Sequence, residues 1–417
     1  MVADMKEMKD SGTAWTGIIP SHWDVGRIDG FYSLRNTKVS DKDYPPLSVT
    51  MGGIIPQLET AAKTNAHDDR KLVRKGDFAI NSRSDRRGSC GISSYDGSVS
   101  LINTILYPKR KMDPEYYDWL FHTVQFADEF YKWGHGIVDD LWTTNYQDMK
   151  KIKIPVPPID EQHIIALYLN KQCNSINALS AYIKSEIETL EAYKRSVITE
   201  AVTKGLNPHV EMKDSGIEWL GKIPINWEIK RGKYCLKYLE KPIRPDDEVI
   251  TCFRDGEVTL RSNRREEGFT ISLKEIGYQG IDKGDLIVHG MDGFAGAIGI
   301  SDSRGKASPV LNVLDTDNNK RYIMYYLRSM AYNGVFLALA TGIRVRTCDT
   351  NWVKLRELSY PIPPVEEQDM IARFIDDKCN KVDEIIKQKK KQLDVLEQYK
   401  KSLIYEYVTG KKEVPTT

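Results

Sequence analysis

Two stretches of this 417-residue chain concentrate side chains able to read or hold a polyanion. The first, NSRSDRRGSCG, supplies Asn81, Arg83, Ser84, Arg86 and Arg87, with Arg70, Lys71, Arg74 and Lys75 just upstream. The second, RDGEVTLRSNRR, supplies Arg254, Arg261, Asn263, Arg264 and Arg265, and a later GIRVRT adds Arg344 and Arg346. Arginine and asparagine carry forked donors and acceptors that match guanine and adenine edges, while neighbouring cations hold phosphates. For any one of these arginines alone, a solvated charge or a salt bridge is the commoner role. Clustered in what read as equivalent loops of two similar halves, they favour DNA, with Arg83 to Arg87 first. The net charge is only +1, so such binding has to come from local patches rather than from a basic body.

Chemistry beyond recognition is not evident. GIEWLGKI (Gly216 to Ile223) nearly spells a phosphate-binding loop, but Ile223 stands where Ser or Thr must hold magnesium, and Ile18 stands at the lysine position of the sister segment. GFAGAIG (Gly293 to Gly299) reads as a glycine-rich hairpin rather than an adenosylmethionine turn, since it does not open a βαβ unit and no Asn-Pro-Pro-aromatic tetrad occurs. The six cysteines are scattered without a C-x-x-C pair and read as reduced thiols. No apolar run is long enough for a membrane span or signal peptide, so the expectation is a soluble, cytoplasmic, non-catalytic protein without a metal or cofactor of its own.

The elements that would position the arginines are written twice. MKDSGTAWTGIIPSHWDVGR (Met8 to Arg27) answers MKDSGIEWLGKIPINWEIKR (Met212 to Arg231), with more than half of the positions identical. IPVPPIDEQHIIALYL (Ile154 to Leu169) answers YPIPPVEEQDMIARFI (Tyr360 to Ile375). Between these blocks the copies diverge around weak anchors, KGDFAIN (Lys75 to Asn81) facing KGDLIVH (Lys283 to His289). One scaffold carries two different surfaces.

After Pro158 and after Pro364 the pattern predicts a long helix, opened by acidic residues and closed by Gly205 and Gly410. In the first, Ile176, Ile183, Leu190 and Val197 form a seven-residue row, with Leu179, Ile187, Tyr193 and Ala201 beside it. In the second, Val382, Leu396 and Leu403 are flanked by Ile385, Leu393, Tyr399 and Tyr407, and Lys389 interrupts the row opposite Ile183. About 44 residues at about 1.5 Å each make a rod of roughly 65 Å, whose apolar seam needs an equally long partner. Antiparallel pairing of the two copies supplies it; the alternative is that each helix buries its seam against its own insert. The Met212 block follows the first helix directly, so the Met8 block should pack at the end of the second, bringing chain start and chain end together. The inserts mix short β-type runs with glycine turns and a helical stretch near Pro114 to Phe130 and Lys320 to Leu339. The expected fold is α+β: two mixed globular domains separated by two long antiparallel helices in a pseudo-two-fold repeat. Its segments are a framework piece at 1–27, an insert at 28–153, a central helical region at 154–231, a second insert at 232–357 and a terminal helical region at 358–417.

W-x-G-x-I-P-x-x-W together with P-x-P-P-x-x-E-Q-x-x-I, each present twice around divergent inserts, resembles the specificity subunit of type I restriction-modification enzymes. The second motif places Pro157, Pro158, Glu161 and Gln162 opposite Pro363, Pro364, Glu367 and Gln368. The resemblance spans essentially the whole chain. It implies that each insert is a target recognition domain reading half of a split, asymmetric site on double-stranded DNA. It also implies that the helices set the spacer, and that two methyltransferase subunits dock on the motif-bearing frame, with motor/endonuclease subunits outside them. Adenosylmethionine, ATP and Mg would then serve DNA methylation and restriction in those partners, none of them in this chain. The rival from another class is a coiled-coil scaffold whose inserts bind proteins.

Overall fold

The computed structural model describes residues 7–57, 67–136, 142–264, 276–338 and 350–415. Contacts divide the chain into two units that do not follow its linear segments: Met1–Ile183 with Lys390–Thr417, and Lys184–Lys389. Each gathers one insert, one W-x-G block and half of each long helix.

In the first unit, β1 (Met8–Asp10) and β2 (Ile18–Pro20) form a hairpin, and β3 (Asp24–Arg27) follows the buried Trp23. The insert comprises β4 (Tyr32–Leu34), the hairpin β5 (Leu47–Thr50) and β6 (Gly53–Pro56), β7 (Phe78–Asn81), β8 (Cys90–Ile92) and β9 (Asn103–Pro108). Helices α1 (Pro114–Phe121) and α2 (Val124–Lys132) come next, and β10 (Lys153–Val156) returns antiparallel to β3, pairing Asp24 with Val156. The central sheet runs β8-β7-β9-β4. Phe78, Ala79 and Ile80 of β7 are all buried, as befits a strand covered on both faces. Tyr116, Tyr117, Phe121, Phe126 and Phe130 pack one face and, with Trp15 and Trp23, build an aromatic core.

The second unit repeats this plan. The hairpin β11 (Met212–Asp214) and β12 (Lys222–Pro224) precedes β13 (Glu228–Arg231), β14 (Lys237–Tyr238), the hairpin β15 (Ile250–Cys252) and β16 (Val258–Leu260), β17 (Leu286–His289), β18 (Ile298–Ile300) and β19 (Leu311–Asp315). Helix α4 (Lys320–Tyr332) and β20 (Ser359–Ile362) complete it, Glu228 pairing with Ile362. The sheet order β18-β17-β19-β14 matches that of the first unit strand for strand. The shared Lys-Gly-Asp anchor has a physical cause. Gly76 and Gly284 hold positive φ of 88° and 92°, and the following Asp77 and Asp285 are buried against Arg35 and Lys241 respectively.

The long helices are α3 (Ile159–Lys204) and α5 (Val365–Val408). They pair antiparallel within each unit. In the first, Tyr168 stacks on Tyr407 at 4.6 Å and Lys400 donates to Asn177 at 2.8 Å. In the second, Lys194 reaches Asp383 at 2.6 Å, the symmetry-related contact, and Lys389 reaches Glu186 at 2.6 Å. The seam therefore belongs to the two copies jointly. Its second row differs in part from expectation: Ile187, Ala201 and Tyr407 do turn inward, but Leu179, Tyr193, Ile385 and Tyr399 are exposed, and Cys173, Cys379 and Ile386 take inward positions instead. The first turns decide this. Once Ile165, Ala166 and Leu169 are locked into the unit core, alternating steps of three and four lead to Cys173, Ile176, Ser180, Ile183 and Ile187 rather than to Leu179.

Gly205 and Gly410 end the helices with φ of 75° and 69°. The chain ends do meet. Tyr405 donates to the Trp15 carbonyl at 2.9 Å, and the Lys411 ammonium bonds the Thr16 carbonyl. No helix among the described residues is long and apolar enough to cross a membrane.

Candidate nucleic-acid interface

At the start of each long helix the same two side chains fasten the unit together, the glutamate holding the W-x-G block and the glutamine the insert. Glu161 accepts the Trp23 indole N–H at 2.9 Å and lies 2.7 Å from His22; Glu367 accepts the Trp227 indole at 3.0 Å and bonds Asn226 at 3.1 Å. Gln162 takes the backbone N–H of Asp113 at 3.0 Å and donates to the Pro157 carbonyl at 2.8 Å. Gln368 does the same with Asn319 at 2.9 Å and Pro363 at 2.8 Å. Asp113 and Asn319 are the N-cap residues of α1 and α4, so one glutamine aligns the start of each insert helix with the start of a long helix. Both glutamines are fully covered, which removes them as contacts for another subunit. Pro157 and Pro363 are likewise buried, whereas Pro158 and Pro364 stay exposed at the helix starts. From the insert side, Tyr116 donates to the orphan carbonyl of Val408 at 2.7 Å.

The first arginine stretch lies between β7 and β8, its centre a short 3₁₀ turn, Ser84–Arg86. Asn81 is buried: its side chain accepts the Arg83 N–H at 3.0 Å and its carbonyl accepts the Tyr131 hydroxyl at 3.0 Å, so it shapes the loop and does not face solvent. Ser84 is tied to the Trp142 backbone in both directions. The three arginines project outward, each beside a carboxylate. Arg83 lies 3.3 Å from Asp85 and Arg86 3.9 Å from the same group, while Arg87 pairs with Asp128 over the Tyr131 ring. Such exposed pairs are weak, so a phosphate can replace the carboxylate at little cost.

The second stretch does not occupy the equivalent loop, which corrects the sequence expectation. Arg254 sits at the turn between β15 and β16, and Arg261, Asn263 and Arg264 follow β16; this hairpin answers β5–β6 of the first unit. Without a legible alignment of the divergent inserts, richness in arginine was the only guide, and it led to different elements. Arg264 forms a fork with Asp255 at 3.0 and 2.5 Å, with Glu257 at 3.1 Å and Phe253 beneath it at 4.2 Å. Desolvation pushes the Asp255 carboxyl up, but the Arg264 fork and the Glu257 backbone N–H together outweigh it and hold the group below its ordinary range. Asn263 is bonded to Thr259 at 2.8 Å, and Arg261 contacts Thr251 at 3.3 Å. Arg265, Arg344 and Arg346 lie outside the described residues.

The true counterpart of the first loop is His289 to Ala297, between β17 and β18, and it carries no arginine or lysine. Its turn is held by His289, whose Nδ1 accepts the N–H groups of Met291 at 3.2 Å and Asp292 at 3.0 Å. Arg254 bonds Asp292 at 2.8 Å, linking the hairpin turn to this loop. Equivalent edges therefore present different chemistry. Sequence reasoning passed over His289 and the carboxylate partners; the Lys-Gly-Asp anchors, counted forward to the strand ends, were the signal that could have found them.

Comparison with known proteins agrees with the duplicated frame. Residues 20–189 match the family described as type I restriction modification DNA specificity domain. A putative type I restriction enzyme MjaX specificity subunit of Methanocaldococcus jannaschii is 26% identical, the alignment covering 96% of each chain. The MjaVIII specificity subunit of the same organism is 23% identical over 95% of this chain and 94% of its own. Among solved structures, a chain described under complex assembly and conformational transition of the type I R-M system superposes with a TM-score of 0.66 at 13% identity, covering 94% of this chain and 98% of that one. The HsdS subunit from Thermoanaerobacter tengcongensis gives 0.51 at 14% identity with the same coverage, which bears on the fold alone. Motif blocks, the family match over residues 20–189, whole-length relatives and fold point the same way: the chain is similar along its length to the specificity subunits of type I restriction-modification enzymes.

Proposed function

We propose that each insert reads one half of an asymmetric, bipartite DNA site, and that α3 and α5 set the number of unread bases between the halves. The observation that carries this reading is the pair of equivalent loops with unlike chemistry: Arg83, Arg86 and Arg87 in one, His289 and Met291 in the other. A common frame with unlike reading edges suits two different half-sites, whereas identical edges would suit a palindrome. The frame would dock two methyltransferase subunits, which bring adenosylmethionine, with ATP- and Mg-dependent motor/endonuclease subunits outside them; the chain itself contributes no reacting group. The repeated helix contacts, Lys400 with Asn177 and Lys194 with Asp383, support two like docking faces.

Mapping methylated adenine genome-wide, with and without this gene, tests the reading. The expected result is loss of one split, asymmetric motif on deletion; an unchanged map, or loss of a palindrome, would overturn it. Inserting four residues into both long helices should lengthen the permitted spacer, and an unaltered spacer would refute their role as its measure. A protein scaffold would instead show no salt-dependent DNA binding.

A further inference from the structure

In each unit an exposed methionine stands on one element and exposed arginines on another close to it in the fold, and the two units exchange the elements that carry them. In the first unit the arginines are on the loop after β7, and the β5–β6 hairpin ends in Met51, 74% exposed. In the second unit the arginines are on the hairpin, Arg254 and Arg264, and the loop after β17 ends in Met291, 50% exposed. The hairpin packs on β8, the strand that follows the arginine loop, in the first unit and on the loop after β17 in the second. A Cβ on Gly91 of β8 would come within 2.9 Å of Gly53 at the hairpin turn, and a Cβ on Gly296 within 2.9 Å of the Arg254 carbonyl.

Both methionines stand on turns tied from below. The Thr50 hydroxyl donates to the Gly53 carbonyl at 2.8 Å and accepts the Gly52 N–H at 3.2 Å, and the Met51 side chain stands largely exposed on the turn so braced. Met291 rises from the turn that His289 fastens. A single exposed apolar residue is ordinary on a protein surface. An unbranched apolar side chain on a braced turn, in a hairpin-and-loop pair whose other member carries exposed arginines, is less so, and it occurs in both units.

Resting on the DNA reading above, we infer that Met51 and Met291 act as wedges that enter a base step of their half-site and unstack it. The polarisable thioether chain is thin enough to enter between bases, and apolar wedges of this kind pair with basic grips in proteins that deform duplex DNA. The occupant is duplex DNA rather than a protein groove, because the other member of each hairpin-and-loop pair carries exposed arginines, Arg83, Arg86 and Arg87 in the first unit and Arg254 and Arg264 in the second. The wedges are positioning residues; they read no base edge themselves.

The experiment uses the full chain and duplexes bearing the mapped site, with 2-aminopurine placed in turn at each position of each half. Wild type should raise the fluorescence at one step per half-site. Met51→Ala should abolish the rise in one half only, and Met291→Ala in the other. Affinity should fall by about tenfold, the loss expected for leaving one methionine side chain unburied. Met51→Leu should keep the signal. Thermal midpoints should not move, since neither side chain packs internally. Binding with no fluorescence rise, or a rise that survives Met51→Ala and Met291→Ala, overturns the wedge while leaving DNA recognition intact. Absence of any salt-dependent binding by wild type would instead refute the DNA reading, and the wedge with it.

Discussion

Replacing Gln368 by alanine should loosen the seat of the second insert without touching its core. The side chain is fully buried and makes three bonds: it accepts from Asn319 N–H at 2.9 Å and donates to Pro363 at 2.8 Å and Asn318 at 3.1 Å. Truncation strands the Asn319 N–H and the Pro363 carbonyl, while Asn318, nearer the surface, can turn to water. Two stranded groups at about 1–3 kcal/mol each, not fully additive, make a loss of about 2–4 kcal/mol. That raises local opening roughly 30-fold to 700-fold. Hydrogen exchange on the full chain, followed in peptides from 319–332 and 359–368, measures it. Gln368→Glu should be worse than alanine, because it turns a donor into a carboxylate facing the Pro363 carbonyl. Gln162→Ala should loosen 113–121 in the same way. Exchange unchanged within about twofold in Gln368→Ala would refute the fastener.

Three further outcomes follow from the geometry. Changing Arg83, Arg86 and Arg87 together to alanine should weaken duplex binding and flatten its salt dependence by up to about one unit of log–log slope for each phosphate no longer gripped, as read by anisotropy titration; an unchanged slope would remove this loop from the interface. Lys389→Ile combined with Glu186→Gln replaces a partly buried ion pair by the residue types found at the symmetry-related positions, Ile183 and Gln392, and should leave urea stability equal or raise it by about 1–2 kcal/mol; a fall would mean the pair stabilises the seam. Burial lowers the His289 pKa, and Arg254 adds to this against the opposing Asp292. A base whose folded pKa lies below its unfolded value of about 6.5 stabilises fully above that pH and less as pH falls, so the turn under Met291 should loosen on acidification. An NMR titration placing His289 at or above the unfolded value would contradict this.

The frame was legible in the sequence because it is written twice: the paired blocks, the glycine stops and the meeting of chain ends all follow from position counting. The inward row of the helices was not, since Leu179 and Tyr193 look more buried than Cys173 and Ser180 until the first turns fix the rotation. The seating role of Gln162 was hidden for another reason: its partner Asp113 becomes a neighbour only after folding. The arginine clusters were read from composition and placed on equivalent loops, which the structure does not bear out for the second stretch, because composition carries no register.

The glutamine seat has a consequence for how such chains change over generations. The grip that Gln162 and Gln368 share on the insert is on a backbone N–H, a group that every residue except proline possesses; the further bond from Gln368 to the Asn318 side chain has no counterpart at Gln162 among the bonds described. The grip therefore asks only that a helix begin at that place; it does not inspect the side chains beyond. An insert of unrelated sequence, exchanged by recombination within the repeated blocks on either side, would meet the same attachment, so a new surface can be acquired whole, without rebuilding the frame that holds it.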